Sequence, residues 1–308
     1  MGSATDASNL PRQKTKRKFN KSKLFSWTIF IGPALLFYLA FMFIPAFGAF
    51  YYSLTDWNGL ARTTSFVGLD NYVEAFTQDP DFRHSIWFTL KYTVVVLVFQ
   101  NIIALLLAVM IESRSRMKGF FRTVFFMPNM VSLIISAFMW VFIFTIVLPE
   151  LSKYGLSMLD QGWLGDADVA FYSIVIVSLW RGIGYMMIIY IAALQGVPQH
   201  LKEAAVIDGA SPLQNLLHVT IPMIMHAITI CVFLTLNEAF KIFDLVYGMT
   251  NGGPGRSTQV IALNVYEEAF SGNFRYGYAN AKAMVLFGIV MIITFFQVRV
   301  MKKREVES

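Results

Sequence analysis

Six stretches of this chain are so long and so apolar that they dictate its architecture. They run over residues 25–53, 87–111, 122–148, 169–195, 222–248 and 278–299. Each has the length, about 20 residues, that a helix needs to cross the hydrocarbon core of a bilayer. In that medium every backbone N–H and C=O must find its partner within the protein, which favours helices. The expectation is an all-α, polytopic membrane protein with six transmembrane helices. A basic tail over 1–23, one membrane domain over 24–303 and a short tail over 304–308 complete the chain. Composition agrees: 56% of residues are hydrophobic and 14% charged, against roughly 25% charged in soluble domains. No segment between the runs is long enough for a soluble core.

The net charge of +6 is distributed by side of the membrane. The N-terminal tail, the 112–122 and 195–221 loops and the C-terminal tail together carry sixteen Lys and Arg. The connections over 54–91, 149–168 and 249–277 carry six, with eleven acids. Positive charge accumulates on the cytoplasmic face, so both termini and the 195–221 loop are expected there, in a multi-pass protein of the cell membrane. The run RQKTKRKFNKSK is then a topology signal and an anchor to anionic lipid, with no nucleic-acid partner. The apolar run after it is too long for a signal peptide and is expected to be retained. Pro33, Pro45 and Pro128 lie inside spans and are expected to kink or break their helices.

Several chemistries are excluded. Cys231 is the sole cysteine, and His84, His200, His218 and His226 are scattered without metal-ligand spacing. No G-x-x-x-x-G-K-[ST] occurs, and not even a Gly-Lys dipeptide, so the chain has no loop to cradle ATP phosphates. It is expected to hold no metal or cofactor and not to be an enzyme by itself.

Charged groups in a bilayer core face a cavity or a partner, and we read them in two spans. The fourth carries Arg181, with Tyr185 one turn further in. The fifth carries Asn237, Glu238, Lys241 and Asp244, the last three at i, i+3, i+6 and so on one face of a continuous helix. This pattern has two readings. One is a polar pocket for hydroxyls, with Tyr185 and Phe240 as stacking platforms. The other is an interhelical pair of Arg181 with Glu238 that fixes packing. Trp27, Tyr51, Tyr52, Trp57 and Trp87 read as interfacial anchors. The glycine-rich MTNGGPGRST at 249–258 reads as a flexible scoop or docking surface.

The 195–221 loop has a design of its own. Pro198 ends the fourth span, and strong helix formers follow over His200 to Val206. Gly209 is a natural stop, and Ser211-Pro212 reads as an N-cap and first helical position. A second short helix, LQNLLHV, leads to Pro222. Ala204, Ala205 and Ala210 give this two-helix knob little bulk.

Glu203-Ala204-Ala205, Asp208-Gly209-Ala210 and Pro222 resemble the EAA signature of permease subunits of binding-protein-dependent ABC importers. FVGLDNY at 66–72, FFRTVFFMPNMVS at 120–132 and MTNGGPGRST are similar to its carbohydrate-uptake branch, related to the maltose-type permeases. The resemblance extends from about Leu24 to Lys303. It departs at Leu216 and Val219, where phenylalanine and isoleucine are frequent.

The resemblance implies the type I importer permease fold and a homologous second permease subunit. It also implies a cytoplasmic ATPase dimer that binds the ATP, an external solute-binding protein and a sugar, oligosaccharide or modified. It assigns contact with the ATPase to Glu203, Ala204, Ala205, Asp208, Gly209 and Ala210. The substrate path falls on Ser178, Arg181, Gly182, Tyr185, Thr235, Glu238 and Ala239, to which the polar pattern adds Asn237 and Lys241. Arg181 and Glu238 make this path more charged than that of neutral-sugar permeases and suggest an acidic or modified sugar. The competing reading is a secondary transporter with Glu238 and Asp244 as proton carriers.

Overall fold

A computed structural model describes residues 21–114, 117–272 and 274–302. Most of the basic tail and the tail over 304–308 lie outside the described residues. The chain divides into two units, Met1–Ala49 and Phe50–Ser308. The described part of the first is helical: α1 (Lys21–Tyr38), a π-turn (Leu39–Phe43) and the start of α2 (Ile44–Tyr52). Its apolar side chains are exposed, as in Phe30 and Phe41, which suits a helix in hydrocarbon.

The second unit continues with α3 (Asp70–Thr77), α4 (Pro80–Arg114), α5 (Lys118–Phe126), α6 (Leu133–Phe142), α7 (Leu148–Ser152) and α8 (Ala167–Gln195). Then come α9 (Gln199–Ile207), α10 (Pro212–Asn215), α11 (Ile221–Met223) and α12 (Met225–Phe240). Last are α13 (Asp244–Met249), α14 (Ile261–Phe270) and α15 (Tyr276–Lys302). Among the described residues, five helical stretches are long and apolar enough to cross a membrane: Ile29–Tyr52, Pro80–Ser113, Leu133–Ser152, Ala167–Gln195 and Tyr276–Met301. The pair Pro212–Met223 and Met225–Phe240, bent by 74°, makes a sixth when counted as one broken span. The described residues contain no strand, only an isolated bridge between Thr55 and Phe66.

Two spans are broken, the third where Pro128 was expected to break it and the fifth against the expectation of a continuous helix. The third passes from α5 into a 3₁₀ turn (Met127–Met130), then through Val131 and Ser132 in extended conformations before α6 begins. Pro128 lacks an N–H and so cannot continue the ladder. The fifth ends at Phe240 rather than near 248, and a new helix starts at Asp244. Glu238, Lys241 and Asp244 therefore do not share one helical face, and the i, i+3, i+6 expectation is corrected.

Prolines explain a second regularity. Three π-turns, Leu39–Phe43, Ile143–Val147 and Leu216–Thr220, each end two residues before a proline: Pro45, Pro149 and Pro222. A proline ring collides with the carbonyl four residues back, which here is that of Phe41, Thr145 or His218. Widening the turn moves that carbonyl aside. It lets the residue before the proline donate five residues back, as Ile44 does to Leu39, Leu148 to Ile143 and Ile221 to Leu216.

The centre of the bundle is α8, packed along α4 and flanked by α12. It starts at a capped end, where the Asp166 carboxylate accepts from the N–H groups of Asp168 and Val169 at 3.0 Å each. Close approach depends on Gly184, where a Cβ would collide with the backbone carbonyl of Phe125 on α5, the small-residue contact by which membrane helices associate. Interhelical hydrogen bonds add direction. Tyr190 on α8 donates to Asn101 Oδ1 on α4 at 2.7 Å, and Asn101 Nδ2 donates to Thr235 Oγ1 on α12 at 3.1 Å.

Candidate functional site

A cavity of about 490 Å³ opens where α4, α8 and α12 meet the break after Phe240. Eight of the nine residues expected on the substrate path line it: Ser178, Arg181 and Gly182 from α8, and Thr235, Asn237, Glu238, Ala239 and Lys241 from α12 and its end. Asp244 lines it too. Tyr185 does not. It packs with the apolar cluster around Met186 and Tyr190, one turn too deep to reach the cavity. Phe240 is buried at 2% exposure, so neither expected stacking platform is available, and Phe243 and Tyr92 are the aromatic residues of the cavity wall.

Arg181 forms no salt bridge with Glu238, although the two opposite charges still act on each other. Its guanidinium donates to the carbonyl of Val131 at 3.0 Å and to that of Asn129 at 3.4 Å. Both carbonyls belong to the break in the third span, where the helix supplies no donors. Arg181 thus replaces the missing backbone hydrogen bonds of a non-helical segment, which at membrane depth is tolerated only against protein or a cavity. Its Nε has no partner.

The second span contributes residues that the sequence reading missed. Tyr92, Val96 and Gln100 line the cavity from α4 at spacing i, i+4, i+8, one helical stripe. Tyr92 donates to Ser178 Oγ at 2.7 Å, while Gln100 Nε2 is buried without a partner. The signal available was the helical spacing of Tyr92 and Gln100 in a span that also carries Thr89, Lys91, Thr93 and Asn101. Asn129, beside Pro128, was the other. Among the described residues no three of His, Cys, Asp and Glu converge as metal ligands would.

The α9–α10 knob sits between α8 and α12, the two helices that supply most of the cavity wall. Its turn is a Schellman motif: Ala210 N–H donates to Ala205 O at 2.9 Å and Gly209 N–H to Val206 O at 3.0 Å, with Gly209 at φ +83°. Ser211 and Gln214 form a reciprocal capping box, and Asn215 Nδ2 donates to Lys202 O at 2.9 Å, clamping the two helices together. Glu203, Ala204, Asp208 and Gly209 are exposed, with Ala205 and Ala210 half-buried. The same surface presents Val206 at 63% and Ile207 at 85% exposure. Large apolar groups left in the open on a well-ordered knob mark a contact surface.

The 249–258 segment, expected as a flexible scoop or docking surface, is a hydrogen-bonded loop rather than a flexible one. Thr258 is fully buried, and its hydroxyl bonds to Gly253 O at 2.7 Å and to Thr250 Oγ1 at 2.8 Å. His84 Nε2 lies 3.1 Å from Ser257 O.

Comparison with known proteins places this arrangement. Residues 100–303 match the family model described as "Binding-protein-dependent transport system inner membrane component". The chain is 39% identical over 292 residues to the probable starch degradation products transport system permease protein AmyD of Thermoanaerobacterium thermosulfurigenes, covering 95% of this chain and 99% of that one. It is 34% identical to the multiple sugar-binding transport system permease protein MsmF of Streptococcus mutans, covering 92% and 98%. Among solved structures, a bacterial alginate ABC transporter in complex with alginate pentasaccharide-bound periplasmic protein shares the fold at a TM-score of 0.78 and 22% identity, over 92% of this chain and 96% of that one. The spans, the capped loop between the cavity-lining helices and the match over two thirds of the sequence lead to one conclusion: this chain belongs to the binding-protein-dependent transport system inner membrane components, the permease subunits of ABC importers.

Proposed function

We propose that the chain is half of the translocation path of an ATP-driven sugar importer, and that the observation carrying this is a connectivity. The two helices that wall the polar cavity, α8 and α12, are joined by one rigid, exposed, two-helix knob. A partner that moves the knob moves the cavity walls. The knob would seat on a cytoplasmic ATPase through Glu203, Ala204, Ala205, Asp208, Gly209 and Ala210, placing both termini in the cytoplasm. ATP would be held by that subunit. A second permease of the same fold would close the cavity, and an external binding protein would deliver substrate. Relatives transporting starch degradation products and multiple sugars support a saccharide, and the residues suit hydroxyls: Ser178, Thr235, Asn237 and Gln100 donate and accept, and Glu238 accepts.

With Arg181 donating to the carbonyls of the third span, Glu238, Lys241 and Asp244 are the charged groups left facing the cavity, and Glu238 is the one within α12. Glu238→Gln in the assembled importer is expected to lower ATP-driven sugar uptake at least tenfold, on the order of the roughly 1.5–3 kcal/mol of a hydrogen bond to a charged group. Arrival of the ATPase in the complex is expected to stay unchanged. Radiolabelled uptake in proteoliposomes measures it. Full uptake by the variant would remove Glu238 from the path.

A further inference from the structure

A second pocket, of about 590 Å³, lies at the opposite end of the bundle from α9, between the start of α4, the 250–260 loop and α14. We propose that it is a binding subsite for neutral oligosaccharides at the external mouth of the path, with Tyr247 and Tyr266 as its stacking platform. The inference rests on the sugar-import reading above and adds a site to it.

Rings are the first observation. Tyr247 and Tyr266 line the pocket and meet edge to face at 5.9 Å, yet remain 42% and 36% exposed. Phe243 stacks on Tyr247 at 5.4 Å and 14° and touches Tyr266 at 5.3 Å. Phe243 also lines the intramembrane cavity, so one three-ring cluster borders both spaces. Aromatic faces present an apolar body of the kind that packs against the C–H face of a pyranose.

An unmet hydrogen bond is the second. Asn264 lines the pocket at 4% exposure, and its Oδ1 has no partner, while its Nδ2 donates to Gln259 Oε1 at 3.2 Å. A buried amide oxygen without a donor is uncommon, and a hydroxyl would satisfy it.

Charge decides the ligand class. Arg256 is held by Asp81 and lies 3.9 Å from Glu267. Lys282 is 2.7 Å from Asp79 and 2.9 Å from Glu268. Arg275 is 2.7 Å from Glu74. Every cation lining the pocket is already matched by carboxylates, leaving none for an anionic sugar. Four carboxylates against three cations leave the lining with an excess of negative charge that disfavours an anion, and with the rings and the orphan acceptor this fits a neutral, hydroxyl-rich chain.

The test uses the full-length chain in nanodiscs, with a neutral glucose trisaccharide and trigalacturonate as probes. Saturation transfer from protein rings to sugar protons is followed in titrations. To separate the two sites, Glu238→Gln serves as the background. Tyr247→Leu with Tyr266→Leu is expected to weaken trisaccharide binding there at least fivefold, and Asn264→Leu severalfold. The double Tyr→Phe variant, which keeps the rings, should stay within about twofold, so a loss seen only with leucine is not misfolding. Trigalacturonate should bind more weakly than the neutral sugar throughout.

Neutral-sugar binding unchanged by the leucines, or trigalacturonate binding the tighter, would overturn the inference and leave the importer reading standing. Leucine variants that bind sugar normally but lose only uptake stimulated by the binding protein would also overturn it, making the rings a protein contact. No binding of any saccharide by the unmodified chain, with no ATP-driven saccharide uptake by the importer assembled around it in proteoliposomes, would instead remove the sugar-import reading itself.

Discussion

Lys282→Met is expected to destabilise the folded chain by about 3–5 kcal/mol, as breaking a buried ion pair by removing one partner does. The lysine is 1% exposed in α15, with Asp79 from the start of α4 and Glu268 from α14 around its ammonium group. The ring of Tyr278 lies 4.3 Å from it and that of Phe82 5.4 Å. Methionine preserves volume, so the loss isolates the charge, and two mostly buried carboxylates remain without their common cation. Thermal unfolding of the detergent-solubilised chain measures it. A triple change that adds Asp79→Asn and Glu268→Gln should recover much of the loss.

The pH dependence of this network has a defined sign. Burial pushes the Asp79 carboxyl up. Hydrogen bonding and charge from Lys282, with the Phe82 N–H and the Tyr278 hydroxyl, outweigh that and hold it below its ordinary value of 3.8. A carboxyl depressed in the folded state stabilises fully above that value, and the contribution disappears as pH falls through the folded pKa. Without Lys282, burial dominates and the carboxyl rises. The variant should therefore gain stability relative to the parent as the medium is acidified from neutral. A relative loss on acidification would contradict this assignment.

Gly209→Pro carries the largest functional effect. Proline holds φ near −65°, whereas Gly209 stands at +83°, and its N–H, which proline lacks, donates to Val206 O. The Schellman turn cannot form, and α9 would meet α10 at another angle. ATP-driven uptake is expected to fall at least tenfold, with the chain present in the membrane in normal amount because the knob lies outside the packed core. Nothing lies within 4 Å of a Cβ at this position, so Gly209→Ala faces only the left-handed backbone, roughly 1–2 kcal/mol. Gly209→Asn should retain most uptake, since asparagine tolerates that region. Uptake by the proline variant at parental rates would refute the lever.

Much of this architecture is legible in the order of the amino acids, and the failures have physical causes. The apolar runs announce the spans because hydrocarbon admits few alternatives. The 198–222 loop is readable residue by residue because capping and turn chemistry are local: Ser211-Pro212 and Gly209 act where they stand. The end of α12 at Phe240 is not, since neither glycine nor proline marks it and packing decides. Arg181 invites assignment to Glu238 because opposite charges suggest a pair, while the carbonyls of Asn129 and Val131 have no signature in a sequence. Lys282 is easily passed over inside an apolar run. A lone lysine early in a span, with Glu268 upstream and Asp79 at another helix start, is its signal. The cavity's other wall escapes notice because Tyr92 and Gln100 are uncharged.

The central claim is that substrate moves in response to a partner's ATP cycle acting through the knob. Its direct test is sugar accumulation in proteoliposomes holding this chain with its second permease, ATPase and binding protein, driven either by ATP or by a pH gradient alone. The predicted result is accumulation with ATP, lowered at least tenfold by Gly209→Pro, and none with the pH gradient. Accumulation by this chain alone, without ATP and in response to the gradient, would contradict it.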